Sequence, residues 1–253
     1  MIPSERTGRR LVQLGVLIAA GMGWYLITLP GRVNSLLLPA PAPVFRAFGG
    51  LLTTSSVWPD IALTVAEWLI AFAIGAVAGC IVGYLVSLTA FSVRVFDPLL
   101  AGLYSVPMIL LYPLFLLFFG LGPGSKIAIG ATIAFFPVVL NTIAGLSCVD
   151  RAYVRAARSM GASNVQLFWT VMLPAALPVV LTGFRLGGII AFMTILGCEM
   201  ISSLGGLGHR IVELADNMEP AQMFANILFA VLIAVAINFG VSFIEARGRR
   251  WAQ

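Results

Sequence analysis

Few side chains in this 253-residue sequence are equipped for chemistry, and their spacing excludes most kinds. The acids Glu67, Asp97 and Glu199 are dispersed among the ends and interiors of apolar runs, with no nucleophile and base at a workable spacing. His209 is the sole histidine, which excludes a multi-histidine metal centre. Cys80, Cys148 and Cys198 are too scattered and odd in number for a disulfide framework or thiolate site, and read as reduced packing residues. The string Gly120 to Lys126, GLGPGSK, has the glycines of a phosphate loop. A nucleotide site needs Gly-Lys followed by Ser or Thr, however, and here Ser125 precedes Lys126 and Ile127 follows, in a tight turn between spans. Two kinds of function remain. Asn141, Glu199 and Asn238 are polar groups in or bordering apolar runs, suited either to lining a polar route or to hydrogen bonding a neighbouring helix. The plainer role is favoured for the asparagines, and both stay open for Glu199. The loop 147–178 carries Asp150, Arg151, Arg155 and Arg158, a concentration of charge suited to recognising another water-facing surface.

The elements that position these groups belong to a bilayer. Hydrophobic residues make up 60% of the chain and charged ones 10%, against about a quarter charged in soluble domains. The net charge of +5 comes from short arginine clusters between membrane-length apolar runs, which points to topology and not to nucleic acid. The expected fold class is an all-α integral membrane protein with six transmembrane helices. Residues 1–59 form a first helix and an extracytoplasmic segment, and residues 60–253 a core of five helices with the loop 147–178.

The first span, residues 11–29, has no charge and is longer than the apolar core of a signal peptide, so a retained helix is expected. Pro30, Gly31, Pro39, Pro41, Pro43 and Pro59 make the next segment irregular, with a short interfacial helix from Val44 to Leu52. The second span runs from about Ile61 to Thr89. Ala71, Gly75, Gly79, Gly83 and Ser87 recur every four residues along it, leaving one face bare enough for another helix backbone. Glu67 lies about two turns inside, where a hydrated carboxylate near the membrane surface is favoured over an ion pair. The third span, about Leu99 to Phe119, is interrupted by Pro107 and Pro113. The fourth, fifth and sixth run over about Ile127 to Leu146, Val179 to Met200 and Phe224 to Ile244.

With the N-terminus inside, Arg6, Arg9, Arg10, Arg94, Arg151, Arg155, Arg158, Arg185, Arg247, Arg249 and Arg250 face the cytoplasm. Arg32, Arg46, Lys126 and Arg210 face outward. This excess of basic residues on one side puts both termini and the loop 147–178 in the cytoplasm.

Within that loop, Asp150 is placed to cap a helix that ends at Gly161 in a left-handed conformation. Ser163 and Gln166 form a capping-box pattern for a second helix. Val165, Phe168, Trp169 and Met172 give that helix one apolar face, and Pro174 and Pro178 are expected to stop it. The spacing Ala156-Ala157, three residues, Gly161, nine residues, Val171-Met172-Leu173-Pro174 resembles the cytoplasmic EAA loop of permease subunits of binding-protein-dependent ABC importers. Arg155 stands where the family has an acid. The LLPAPAPVFRAF string and the LGGLG at Leu204 to Gly208 are similar to segments of the nitrate, sulfonate and taurine branch.

The resemblance implies a type I ABC importer permease fold with a cytoplasmic coupling helix. Arg155, Ala156, Ala157, Gly161, Ala162, Leu173 and Pro174 would form the ATPase-coupling site, with Val165, Phe168 and Trp169 anchoring it to the membrane domain. It implies no enzyme activity and no cofactor in this chain, ATP and Mg being bound by a partner ATPase. The implied partners are a cytoplasmic ABC ATPase dimer, an extracytoplasmic substrate-binding protein, a second permease chain in a homodimer, and the lipid of a bacterial inner membrane. Asn141, Glu199 and Asn238 are candidate pathway residues. The substrate class is a nitrate-, sulfonate- or taurine-like anion or related organic compound. The rival readings are a permease for amino acids, phosphonates or betaines, a secondary carrier working without ATP, and a membrane enzyme.

Overall fold

Alternating apolar runs and proline- or glycine-rich breaks fold into a set of helices. The computed structural model describes residues 3–29 and 33–249, with side chains over residues 8, 11–29 and 33–243. Pro30, Gly31, Arg32 and Arg250 lie outside the described residues, as do the side chains of Arg6, Arg9, Arg10, Arg247 and Arg249. The helices are α1 (Pro3–Ile27), α2 (Pro41–Thr53), α3 (Trp58–Ser87), α4 (Ala90–Tyr104), α5 (Tyr112–Phe119), α6 (Pro123–Ser147), α7 (Arg151–Ser159), α8 (Asn164–Leu167), α9 (Leu173–Ile201), α10 (Leu207–Asp216) and α11 (Pro220–Arg249). The described residues separate into two compact units.

One unit comprises the residues up to Val57 together with Arg210–Ala230. Here the proline-rich segment is tied down by Trp24, whose Nε1 donates to the Pro39 carbonyl at 3.1 Å and whose ring meets Phe45. The expected interfacial helix is α2, opened by a proline in its first turn and buried at Val44 and Leu51. Arg210 donates to the Ser56 carbonyl and hydroxyl.

The second unit, Trp58–His209 with Val231 onward, is organised on α3, α6 and α9. Ala71, Gly75, Gly79 and Gly83 are buried on α3 and sit against Gly130, Ala134, Val138 and Thr142 of α6. Each rung advances four residues on both helices, so α3 and α6 run parallel. A Cβ on Gly79 would lie 2.9 Å from Val138, and one on Gly83 2.6 Å from Thr142, so only glycine admits this approach. Ser87 is only half-buried, and its hydroxyl turns back to the Tyr84 carbonyl. On the other side of α6, Gly187 and Gly183 of α9 lie against Ala134 and Asn141, in the antiparallel sense.

Several expectations are corrected. Among the described residues four helices are long and apolar enough to cross a bilayer, five if a bent pair counts as one span. The expected first span falls on α1, whose described apolar stretch is Leu11–Ile27. The third span is broken as expected, into α4 and α5, bent by 72° across a 3₁₀ turn at Met108–Leu111, and it starts earlier than expected, at Ala90. Pro107 causes the break, because the residue before a proline is driven out of the helical region. Pro113 instead sits in the first turn of α5, where its missing N–H costs nothing. Since α3 and α6 are parallel, the bent pair is the return crossing between them. The turn expected over Gly120 to Lys126 ends sooner, with α6 starting at Pro123. The glycine loop after α9 leads into α10, whose Leu207, Ile211 and Leu214 are buried.

Gly79→Leu is expected to lower stability by about 1–3 kcal/mol or more through overpacking. Gly49→Leu, which has no neighbour within 4 Å, is the reference. Thermal unfolding of the detergent-purified protein reads both, and equal midpoints would refute the bare-face contact.

Candidate functional site

The water-facing loop folds from its own caps. The Asp150 carboxylate accepts from the Ala152 N–H at 2.8 Å and starts α7. Gly161 ends it at φ 84°, with its N–H on the Arg158 carbonyl and the Ala162 N–H on the Ala157 carbonyl, the paired bonds of a Schellman close. Ser163 and Gln166 then form the reciprocal capping box of α8. Arg155, Ala156 and Gly161 are exposed, Ala162 is half-buried and Ala157 is buried beneath them. Leu173 and Pro174 are half-buried at the start of α9.

Pro174 and Pro178 do not stop the second helix. The five residues Phe168–Met172 form a π turn in which the Leu173 N–H reaches back to the Phe168 carbonyl, and Asn164–Ile201 continues as one 38-residue helical span. The wide turn lets a proline follow it in the first turn of α9 without stranding a donor. It also rotates the helix face, so the expected apolar stripe divides. Val165 and Trp169, expected as anchors, are 68% and 62% exposed. The anchoring falls to Leu167, which is buried, to Phe168, which meets Tyr84 edge-on at 4.9 Å, and to Met172. With Tyr153 and Met160, the two displaced side chains leave apolar groups facing out beside the arginines.

At the opposite end of α9 lies a buried polar cluster. Continuing the glycine ladder one rung back from Ala71 and Gly130 pairs Glu67 with Lys126. Lys126 Nζ lies 2.7 Å from Glu67 Oε1, and both side chains are 2% exposed. Glu67 is therefore ion-paired inside the protein and not hydrated at a membrane surface. Lys126 is likewise no outward topological charge. Lys126 Nζ also donates to Ser203 Oγ at 3.0 Å. Glu199 lies close by within the influence of both groups and is 1% exposed. It accepts from Thr64 Oγ1 at 2.8 Å and from the Gly208 N–H at 2.8 Å.

The same cluster fixes the loop Ser202 to Gly208. Thr64 Oγ1 accepts from the Leu207 N–H, and Asp60 accepts from the Gly206 N–H. Tyr112 Oη donates to the Ser202 carbonyl, and Ser203 Oγ donates to the Gly205 carbonyl. Gly206 holds φ 103°, and a Cβ there would collide with the Glu199 carboxylate. Of the other candidate polar residues, Asn141 donates to the Pro137 carbonyl one turn back and presses on Gly183, and Asn238 is half-buried on α11. Among the described residues no group of three His, Cys, Asp or Glu is placed to hold a metal ion.

A family of binding-protein-dependent transport system inner membrane components matches residues 71–250. The chain belongs to that family. This permease is 28% identical to the taurine transport system permease protein TauC of Escherichia coli K12, over 95% of this chain and 89% of that one. It is 30% identical to the putative aliphatic sulfonates transport permease protein SsuC of the same organism, over 90% of this chain and 87% of that one. Among solved structures it resembles the MetNI methionine ABC transporter in inward-facing form, with a TM-score of 0.64 at 21% identity over 75% of this chain and 94% of that one. An amino acid ABC transporter gives 0.60 at 16% identity, over 85% and 99%. The permease thus has the type I importer fold and is the membrane subunit of an ABC importer, not itself an enzyme. Its family implies a separate ATPase and a substrate-binding protein as partners.

The sequence reading missed Thr64, Tyr112, Lys126 and Ser203 as a group. The available signal was the four-residue ladder, which places an acid and a base on facing rungs. Burying two acids around one cation makes the permease dependent on Lys126, since removing one member of a buried pair leaves the rest uncompensated. Lys126→Met is expected to cost about 3–5 kcal/mol, and Glu67→Leu combined with Lys126→Met clearly less. Thermal unfolding of purified variants tests this. A double variant that loses the full sum of the two single losses would show that the groups are not coupled.

Proposed function

We propose that the permease, as a homodimer, forms the pathway through which an ATP-driven importer moves a small sulfonate or related organic anion of taurine-like chemistry. The observation that carries this reading is likeness to taurine and aliphatic sulfonate permeases over nearly the whole chain. Specificity would rest largely with the extracytoplasmic binding protein, which hands the anion to the outer face. Of the pathway candidates, Asn141 and Glu199 are hydrogen-bonded within the chain, and Asn238, half-buried on α11, is the candidate for that role.

The exposed segment Arg151 to Trp169 would be the coupling element, docking on an ATPase subunit that binds ATP and Mg. Its open surface above Gly161, its arginines and its outward Tyr153, Met160, Val165 and Trp169 suit a groove with both acidic and apolar lining. One such segment per chain and paired ATPase subunits call for two permease chains. Both termini and this segment would be cytoplasmic, because most basic residues cluster on that side. With Lys126 buried, the outward set shrinks to Arg32, Arg46 and Arg210, which strengthens the asymmetry.

ATP-dependent uptake of labelled taurine or an alkanesulfonate into proteoliposomes holding permease, ATPase and binding protein tests the substrate class. Uptake of neither, with transport of amino acids instead, would overturn it. Gly161→Trp is expected to keep membrane insertion and abolish ATPase copurification, by filling the open space over the glycine and by straining the left-handed turn that closes α7. Normal copurification and uptake in that variant would remove the coupling assignment.

A further inference from the structure

The loop Ser202 to Gly208 is held by side chains from α3, α5, α6 and α9 at once. Asp60 and Thr64 bind its backbone from α3, Tyr112 from α5, Lys126 its Ser203 hydroxyl from α6, and Glu199 its Gly208 N–H from α9. Of these groups Lys126 and Glu199 carry formal charge and are at least 98% buried, as is Glu67, which acts on the loop through its ion pair with Lys126. Opening the loop would expose or unpair them in a low-dielectric interior, the costliest kind of contact to break and remake on every turnover. The remainder of α3, α6 and α9 is joined by backbone-to-backbone contact that tolerates no sliding. By contrast, α4 has no fully buried side chain, touching α3 and α6 through half-buried Val93 and Leu100, and the helix breaks at the Pro107 turn before α5.

We propose that Glu67, Lys126 and Glu199 are positioning residues for transport that keep this loop locked throughout the cycle. The block α3–α6–α9 with the loop, and with α5 tied to it through Tyr112, moves as one body, and α4 with the Pro107 turn supplies the give. The loop is then part of the moving wall and not a gate that opens in it. This rests on the importer function above, and uptake by the unmodified transporter reports separately on that function.

The test is a reversible tether. A Cβ on Gly205, which has an ordinary φ, would lie 3.5 Å from Leu63 Cδ2, so the loop and α3 touch at this point and Leu63→Cys with Gly205→Cys puts one thiol on each side of the contact. It is built in a transporter whose Cys80, Cys148 and Cys198 are replaced by alanine, and ATP-driven uptake is compared before and after oxidation. A loop locked through the cycle predicts oxidised uptake within about twofold of reduced. A fall of about tenfold or more that a reductant reverses would show that the loop opens, and would overturn the proposal. A pair that does not oxidise is bridged with a short bismaleimide, and uptake with and without the bridge is read in the same way. Hydrogen exchange on the unmodified complex during turnover covers the case of a variant that fails to assemble. Protection is expected to persist at Gly206, Leu207 and Gly208 and to fall at Ser105 to Leu111, and the reverse pattern would overturn the inference.

Discussion

The approach of α3 to α6 along a face without side chains is the constraint on which the rest depends. In a bilayer apolar helices gain little from merely touching, because lipid is as apolar as they are, so close packing of small residues must hold them. Gly75, Gly79 and Gly83 bring two backbones together and fix their register to the residue. That register sets Glu67 opposite Lys126, and it makes the two helices parallel, which obliges the chain to return between them. The broken α4–α5 crossing and the buried charge cluster are both consequences of one packing decision.

Much of this was legible in the chain. The glycine stripe, the Asp150 cap, the Gly161 close and the Ser163 capping box are local signals, each set by a few neighbouring residues, and each appears where expected. The spans of α6, α9 and α11 follow from apolar length. What escaped the sequence involved two segments at once or a departure from regular geometry. Glu67 read as hydrated because its partner lies on a helix far along the chain. Lys126 read as an outward charge because a lysine beside a glycine turn looks solvated until a facing acid is known.

The proline errors have a different origin. Pro174 and Pro178 are stop signals for an α-helix, but the π turn at Phe168–Met172 changes the hydrogen-bond register just before the first of them. A periodicity of 3.6 cannot foresee that shift, which is why Val165 and Trp169 emerge on the exposed side while Phe168 and Met172 stay inward. Of the residues that the resemblance assigns to coupling, Arg155, Ala156 and Gly161 lie on the surface over Ala157, while Leu173 and Pro174 are half-buried at the start of α9.

The helical continuity from Asn164 to Ile201 has a mechanical meaning. At 1.5 Å per residue these 38 residues make an arm of roughly 57 Å, reaching from the buried charges at one end to the arginine-rich segment at the other. Tilting the block that contains it by about 5° about the end holding the charges sweeps the other end through roughly 5 Å, close to the pitch of one helical turn. A modest angular change in the membrane is thereby geared to a displacement of whole side chains at the water-facing end, and the same leverage runs in reverse.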